Sequence, residues 1–176
     1  MNIKLRNIPW ITDGANDFLF QKVLNKEIMS VLEFGSGAST VWFAENIETL
    51  ISIEHDEGWY GKITDILNSK GLSIEDYVLF PRPYSNVCSS YKDRLFDLVV
   101  VDGRDRVSCA KASYKLVRPG GYLMLDNDER SYYNSVHGLL EKWEKISYVQ
   151  SGPDKTGWIA PHHWITTIWQ RPLTDE

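Results

Sequence analysis

Five short runs constrain this chain more than any other feature: SVLEF (30–34), LISIE (50–54), YVLF (77–80), FDLVVVD (96–102) and GYLMLD (121–126). Each is almost continuously apolar, as strands covered on both faces are. Helix-like segments lie between them: TVWFAENI (40–47), GWYGKITDILNSKG (58–71) and SCAKASYKLVRPGG (108–121). Ile63, Ile66 and Leu67 keep a helical rhythm, and Gly71 follows as a stop. Residues 117–121 read as a helix end turning into the next strand. Such alternation implies right-handed crossovers and an α/β fold, a doubly wound, mostly parallel sheet with helices on both faces.

The tail is patterned differently. SYYNSVHGLLEKWEK (131–145) places Val136, Leu139, Leu140 and Trp143 on one helical face. ISYVQS (146–151) and WITTIWQ (164–170) follow, with Gly152, Pro153 and Pro161 between them but no helical pattern. They are expected to pair antiparallel at the sheet edge, making seven strands. One domain over residues 1–176 is expected, with a cap segment at 1–27 and the core at 28–170.

A chain of 176 residues, 43% hydrophobic and 24% charged, is long enough for one core. Its net charge of −5 speaks against nucleic acid and against an anionic membrane as partners. No run approaches the roughly 20 apolar residues of a membrane span. Cys88 and Cys109 lack motif spacing, which argues against a disulfide framework or zinc site and suits a reduced, cytoplasmic setting.

In doubly wound sheets a ligand sits beyond the carboxyl ends of the strands, where strand order reverses. The turn after the first strand belongs there, and it reads Gly35-Ser36-Gly37-Ala38-Ser39-Thr40, preceded by Glu33. A dinucleotide fingerprint needs a small third residue, where this chain has Thr40, and no P-loop lysine follows. Glu54 ends the second strand 19 residues after Gly35, close to the roughly 20 typical of a ribose-binding acid. Two carboxylates and a close-approach turn suit a nucleoside with a cationic tail and no phosphates.

VLEFGSG, ISIEHD, FDLVVVDG and LVRPGGYLMLDN, in this order, resemble the motifs of the class I S-adenosylmethionine-dependent methyltransferases across residues 28–170. The resemblance implies a Rossmann-like fold and S-adenosylmethionine as cofactor. Glu33 and the turn of Gly35, Ser36, Gly37, Ser39 and Thr40 would hold the methionine part, and Glu54 the ribose hydroxyls. His55 would border the adenine, with Asp102 and Gly103 closing the pocket and Tyr84 as a stacking partner. The implied activity is methyl transfer to an oxygen or nitrogen nucleophile of a small molecule or sugar. A non-catalytic module binding the same nucleoside is the alternative; an NAD-dependent oxidoreductase is a remoter one that Thr40 disfavours.

Asp102, Asp126 and Asn127 resemble the divalent-cation triad of the catechol and caffeoyl-coenzyme A O-methyltransferases, which would suit magnesium. Asp105, however, stands where those enzymes carry a lysine base. The other reading has Asp102 closing the cofactor pocket, Asp126 capping a turn and Asn127 bonding the backbone. Asp102, His162 and His163 are the candidate catalytic groups, the histidines by their pKa near 6.5. Aromatic residues in the loops (Trp10, Phe18, Tyr84, Tyr91, Trp158, Trp164) suit a lid over a ring-shaped acceptor, or a homodimer surface.

Overall fold

A computed structural model describes residues 7–160 and 163–174. The parallel strands are β1 (Ser30–Phe34), β2 (Thr49–Glu54), β3 (Asp76–Leu79), β4 (Phe96–Val101) and β5 (Val117–Asp126). β6 (Glu144–Gln150) and β7 (Trp164–Gln170) complete a seven-stranded sheet of order β3-β2-β1-β4-β5-β7-β6. β7 runs antiparallel to both neighbours. The doubly wound sheet and its antiparallel final pair are as the sequence predicts. Strand order reverses between β1 and β4, so their carboxyl ends part and leave an opening.

The apolar runs are continuous because both faces are covered. Leu32, Phe34, Val99, Val101, Leu123 and Leu125 point into one core layer. It is roofed by a 3-10 segment (Tyr84–Tyr91) and helices α4 (Arg106–Ser113) and α5 (Asn134–Leu139). The alternate residues Val31, Leu98, Val100, Tyr122 and Met124 pack on the other face. There they meet α1 (Asp13–Leu24), through Ala15, Leu19 and Val23, and α2 (Ala38–Asn46), through Trp42 and Phe43. The N-terminal segment therefore contributes a core helix.

Helix α3 (Glu57–Ser69) starts on Asp56, whose carboxylate accepts the Trp59 N–H at 2.7 Å. It stops at Gly71, in a left-handed conformation with φ +66°, as the sequence implies. Two predicted elements come out shorter. The helix expected over 131–145 is a 3-10 turn (Ser131–Tyr133) followed by α5 alone. Glu144 and Lys145 instead pair with Gln170 and Trp169, so ladder bonds to β7 override helical periodicity there. Likewise α4 ends at Ser113 and β5 begins at Val117, its register shifting against Phe96 and Leu98 of β4.

At the amino ends of the strands, Asp97 stitches three strands together. Its carboxylate accepts N–H bonds from Met29 at 2.7 Å and Ser30 at 2.8 Å, and meets the Arg118 guanidinium. Burial pushes its pKa up, but the Met29 amide, Arg118 and the Ser30 amide together bring it below the ordinary carboxylate value. A depressed folded-state pKa stabilises fully above the unfolded value of about 3.9 and is lost as pH falls through the lower folded value. Asp97→Asn is therefore expected to cost about 1–3 kcal/mol at pH 7. In urea unfolding the gap to the parent should narrow below about pH 3.9.

Candidate functional site

A cleft of about 1160 Å³ opens at the carboxyl ends of the strands around the switch point. The turn after β1, the tips of β2 and β4, and the segment after β5 form its walls.

Glu33 does not reach this cleft. It is fully buried on β1 and accepts hydroxyl bonds from Ser39, from Thr40 at 2.6 Å and from Ser52 at 2.6 Å. Burial pushes its pKa up, opposed by the three hydroxyls, while the nearby Glu54 charge adds to the rise. Thr40 also accepts the Gly37 N–H at 2.8 Å, closing the start of α2. Glu33 and Thr40, expected at the cofactor, thus brace the turn from behind. Ser39 bonds Glu33 while also lining the cleft.

The two glycines have different reasons. Gly35 sits at φ +95°, and a Cβ there would lie 2.4 Å from the Gly103 Cα. Gly103 in turn leaves no room for a Cβ against the Tyr84 hydroxyl, at 2.0 Å. The β1 and β4 turns therefore interlock backbone to backbone. At Gly37 an added Cβ meets nothing within 4 Å, so its face is open to the cleft.

Glu54 lines the cleft at the tip of β2. Its Oε2 accepts the Ser36 N–H at 3.0 Å and hydroxyl at 3.1 Å; its Oε1 accepts the His55 and Asp56 N–H groups at 2.7 and 2.9 Å. Ser36 is held further by the Tyr77 hydroxyl at 2.7 Å, and its carbonyl accepts the Trp59 indole N–H at 2.6 Å. His55 lines the cleft and stacks on Tyr84, centroids 5.3 Å apart. Tyr84 itself is buried, its hydroxyl donating to the Arg104 carbonyl at 2.7 Å, so it backs His55 and is not a platform in the cleft.

Between the tips of β4 and β5 lies a buried guanidinium, Arg106, for which the sequence alone suggests no role. Arg106 donates to the carbonyls of Gly103 at 2.8 Å, Asp102 at 2.9 Å and Asp126, and its Nη2 pairs with Asp102 Oδ1 at 3.0 Å. Burial pushes the Asp102 carboxyl up to about 6 against the opposing Arg106 charge. Burial, reinforced by Asp102, raises Asp126 as well. The sequence carries only the spacing of the fork, Asp102-x-x-x-Arg106 at a strand-to-helix turn.

The metal triad is not assembled. Asp126 turns away from the cleft, accepting the Thr166 hydroxyl at 2.6 Å and the Trp164 indole N–H at 3.1 Å. Asp102 faces Arg106, and Asn127 reaches the cleft in a left-handed conformation, φ +55°. Among the described residues no three His, Cys, Asp or Glu side chains are grouped to hold a metal. The arrangement gives no support to the possible magnesium site: Asp102 pairs with the Arg106 guanidinium, which also binds the Asp126 carbonyl and so links the two strand tips.

His163 is exposed and bonds the Ser151 hydroxyl at 3.0 Å, outside the cleft; His162 lies outside the described residues. Of the six loop aromatics, Trp10 alone lines the cleft, edge-on to Trp158 at 5.3 Å. Tyr91 and Trp164 are buried, and Phe18 packs on Tyr122. The loop before β7 is pinned to α1 by the Lys155 N–H on Asp13 and its ammonium on Asp17 at 2.5 Å. Lys62, Arg104, Arg130, Tyr132 and Tyr133 also line the cleft; the sequence places Arg104 and Arg130 at strand ends but assigns none of the five a role.

No protein-family model matches the chain, and no curated protein matches its sequence. Solved structures do resemble it. A methyltransferase-like protein of Silicibacter pomeroyi superposes with TM-score 0.65 at 21% identity, over 98% of this chain and 93% of that one. The O-methyltransferase of Bacillus cereus in complex with SAH (S-adenosylhomocysteine) gives 0.68 at 16%, over 93% and 84%. An rRNA methylase of Streptococcus thermophilus gives 0.64 at 13%, over 93% and 99%.

Gly35→Ala is expected to destabilise by about 2–4 kcal/mol, from the positive φ and the backbone clash; Gly37→Val should leave the melting midpoint close to the parent. Magnesium should leave that midpoint unmoved, whereas a cation at 100 times its Kd would add about 2.7 kcal/mol. The likenesses establish the fold: this chain has the seven-stranded Rossmann-like fold found in those methyltransferase structures.

Proposed function

We propose that the protein transfers a methyl group from S-adenosylmethionine to an oxygen or nitrogen nucleophile of a small molecule or sugar. The observation that carries this reading is the Glu54 carboxylate on the cleft wall beside the open face of Gly37. Such a pair fits a ribose diol and an adjoining chain that runs close to the backbone. The SAH-bound Bacillus cereus enzyme with the same fold supports it.

Glu54 takes the ribose hydroxyls, and Gly37 leaves room for the methionine part beside the first turn of α2. His55, held flat by Tyr84, borders the adenine, and Gly103 with Asp102 closes the opposite wall. When bound, the cofactor supplies an electrophilic methyl on a sulfonium. Asp102 is the cleft carboxylate whose raised pKa suits acceptance of the nucleophile's proton, and Arg106 fixes its orientation. Thr40, occupied by Glu33 and the Gly37 N–H, leaves the third station of a dinucleotide turn unfulfilled, which weighs against NAD.

Calorimetry with S-adenosylmethionine, S-adenosylhomocysteine and NAD, followed by turnover on an acceptor panel, tests this. The adenosyl compounds should bind and NAD should not. Glu54→Ala should lose about tenfold or more in affinity, and Gly37→Val should lose binding while staying folded. Asp102→Asn should keep the affinity for S-adenosylhomocysteine but lose about a hundredfold in turnover. NAD preference would overturn the reading, and adenosyl binding with no methyl transfer to any acceptor would reduce it to a binding module.

A further inference from the structure

The charges of the cleft are unequally answered. Asp102 is paired with Arg106, and Asp105 takes a two-pronged contact from Arg82 with one arm at 2.8 Å. Glu54 accepts four bonds from Ser36, His55 and Asp56. Two guanidinia on the β4–β5 side are in a different state. Arg104, in the turn after β4, is exposed and lines the cleft, and its guanidinium has no hydrogen-bond or ion-pair partner among the described residues. Arg130, after β5, lines the same cleft with the Tyr132 and Tyr133 hydroxyls beside it, the Tyr132 oxygen at 3.3 Å, and its nearest carboxylate is Glu129 at 3.6 Å. Glu129 meanwhile accepts the Ile165 N–H at 3.2 Å.

The backbone of this wall is fixed. The Arg104 carbonyl accepts the Tyr84 hydroxyl, and Asp105 holds a left-handed conformation, φ +51°, under the Arg82 contact. A chain of net charge −5 thus presents two underused guanidinia beside an Asp102 carboxylate that is already paired. A guanidinium fork recognises planar or tetrahedral oxyanions by paired N–H donation.

Resting on the methyl-transfer reading, we propose that the acceptor is an anion, whose carboxylate or phosphate docks on Arg104 and Arg130 while its nucleophile faces Asp102. Tyr132, exposed on the cleft, flanks the anion through its contact with Arg130.

The test titrates the protein saturated with S-adenosylhomocysteine with 4-hydroxybenzoate, phenyl phosphate and the neutral 4-hydroxybenzamide. At least one acid should bind about tenfold or more tighter than the amide, and which acid wins separates carboxylate from phosphate. Higher salt should weaken the acid and spare the amide. The Arg104→Gln, Arg130→Gln double variant should lose the preference while keeping its affinity for S-adenosylhomocysteine and its melting midpoint. An amide that binds as well as both acids, or a preference that survives the double variant, overturns the proposal. If S-adenosylhomocysteine does not bind, the cofactor reading falls, and the acid-against-amide comparison on the unloaded protein still decides anion docking.

Discussion

A carboxylate buried without a cation is the constraint around which this site is built. Glu33 sits inside the sheet, and left alone its charge would be too costly to keep there. Three hydroxyls answer it, two from the first turn of α2 and one from β2. One residue thereby fastens the helix start to two strands. The turn between β1 and α2 is held at both ends, and its open face at Gly37 becomes a rigid part of the cleft instead of a loose loop. Ser36, in the middle, is then placed to donate to Glu54, so the burial of one acid positions the other.

The opposite side uses the inverse arrangement. A buried guanidinium gathers three carbonyls and one carboxylate from the ends of β4 and β5. Its planar fork suits carbonyl oxygens that diverge from two strands. The same acid-rich letters that resemble a metal triad, Asp102 and Asp126-Asn127, become compatible with a guanidinium because Asp126 rotates onto Thr166 and Trp164 of β7. That partner belongs to a strand 40 residues away, so the spacing around Asp126 carries no sign of it.

This marks where the sequence was legible and where it was not. The strands, their order class and the antiparallel tail follow from apolar periodicity, a local property. Glu54 and Gly37 were readable because their position relative to the first strand determines where they emerge. Glu33 marks a limit of the sequence: an acid in an apolar strand signals a need for partners, but not whether these are a ligand or three nearby hydroxyls. Gly35 lines the cleft, but the contact that forbids a side chain there comes from Gly103, 68 positions on, which local spacing does not reveal. Arg104 and Arg130 sit at strand ends that the sequence locates, but an arginine in a loop acquires a role only once the fate of the surrounding acids is known.

The fold likenesses, all at low identity, mean that sheet topology alone cannot carry the chemistry, since a strand reversal opens the same kind of cleft whatever lines it. In this chain the groups lining that opening carry charge of both signs. The β2 side carries Glu54 and, from α3, Lys62; on the β4–β5 side Asp102 and Asp105 are paired with Arg106 and Arg82, which leaves the guanidinia of Arg104 and Arg130 facing the opening. A sulfonium cofactor bound between them would face positive charge on its acceptor side, an unfavourable arrangement in a cleft partly shielded from water. An acceptor bringing its own negative charge relieves that repulsion, and the relief is coupled to binding order. The anion neutralises the guanidinia that would otherwise oppose the cofactor, so each ligand should tighten the other, reciprocally.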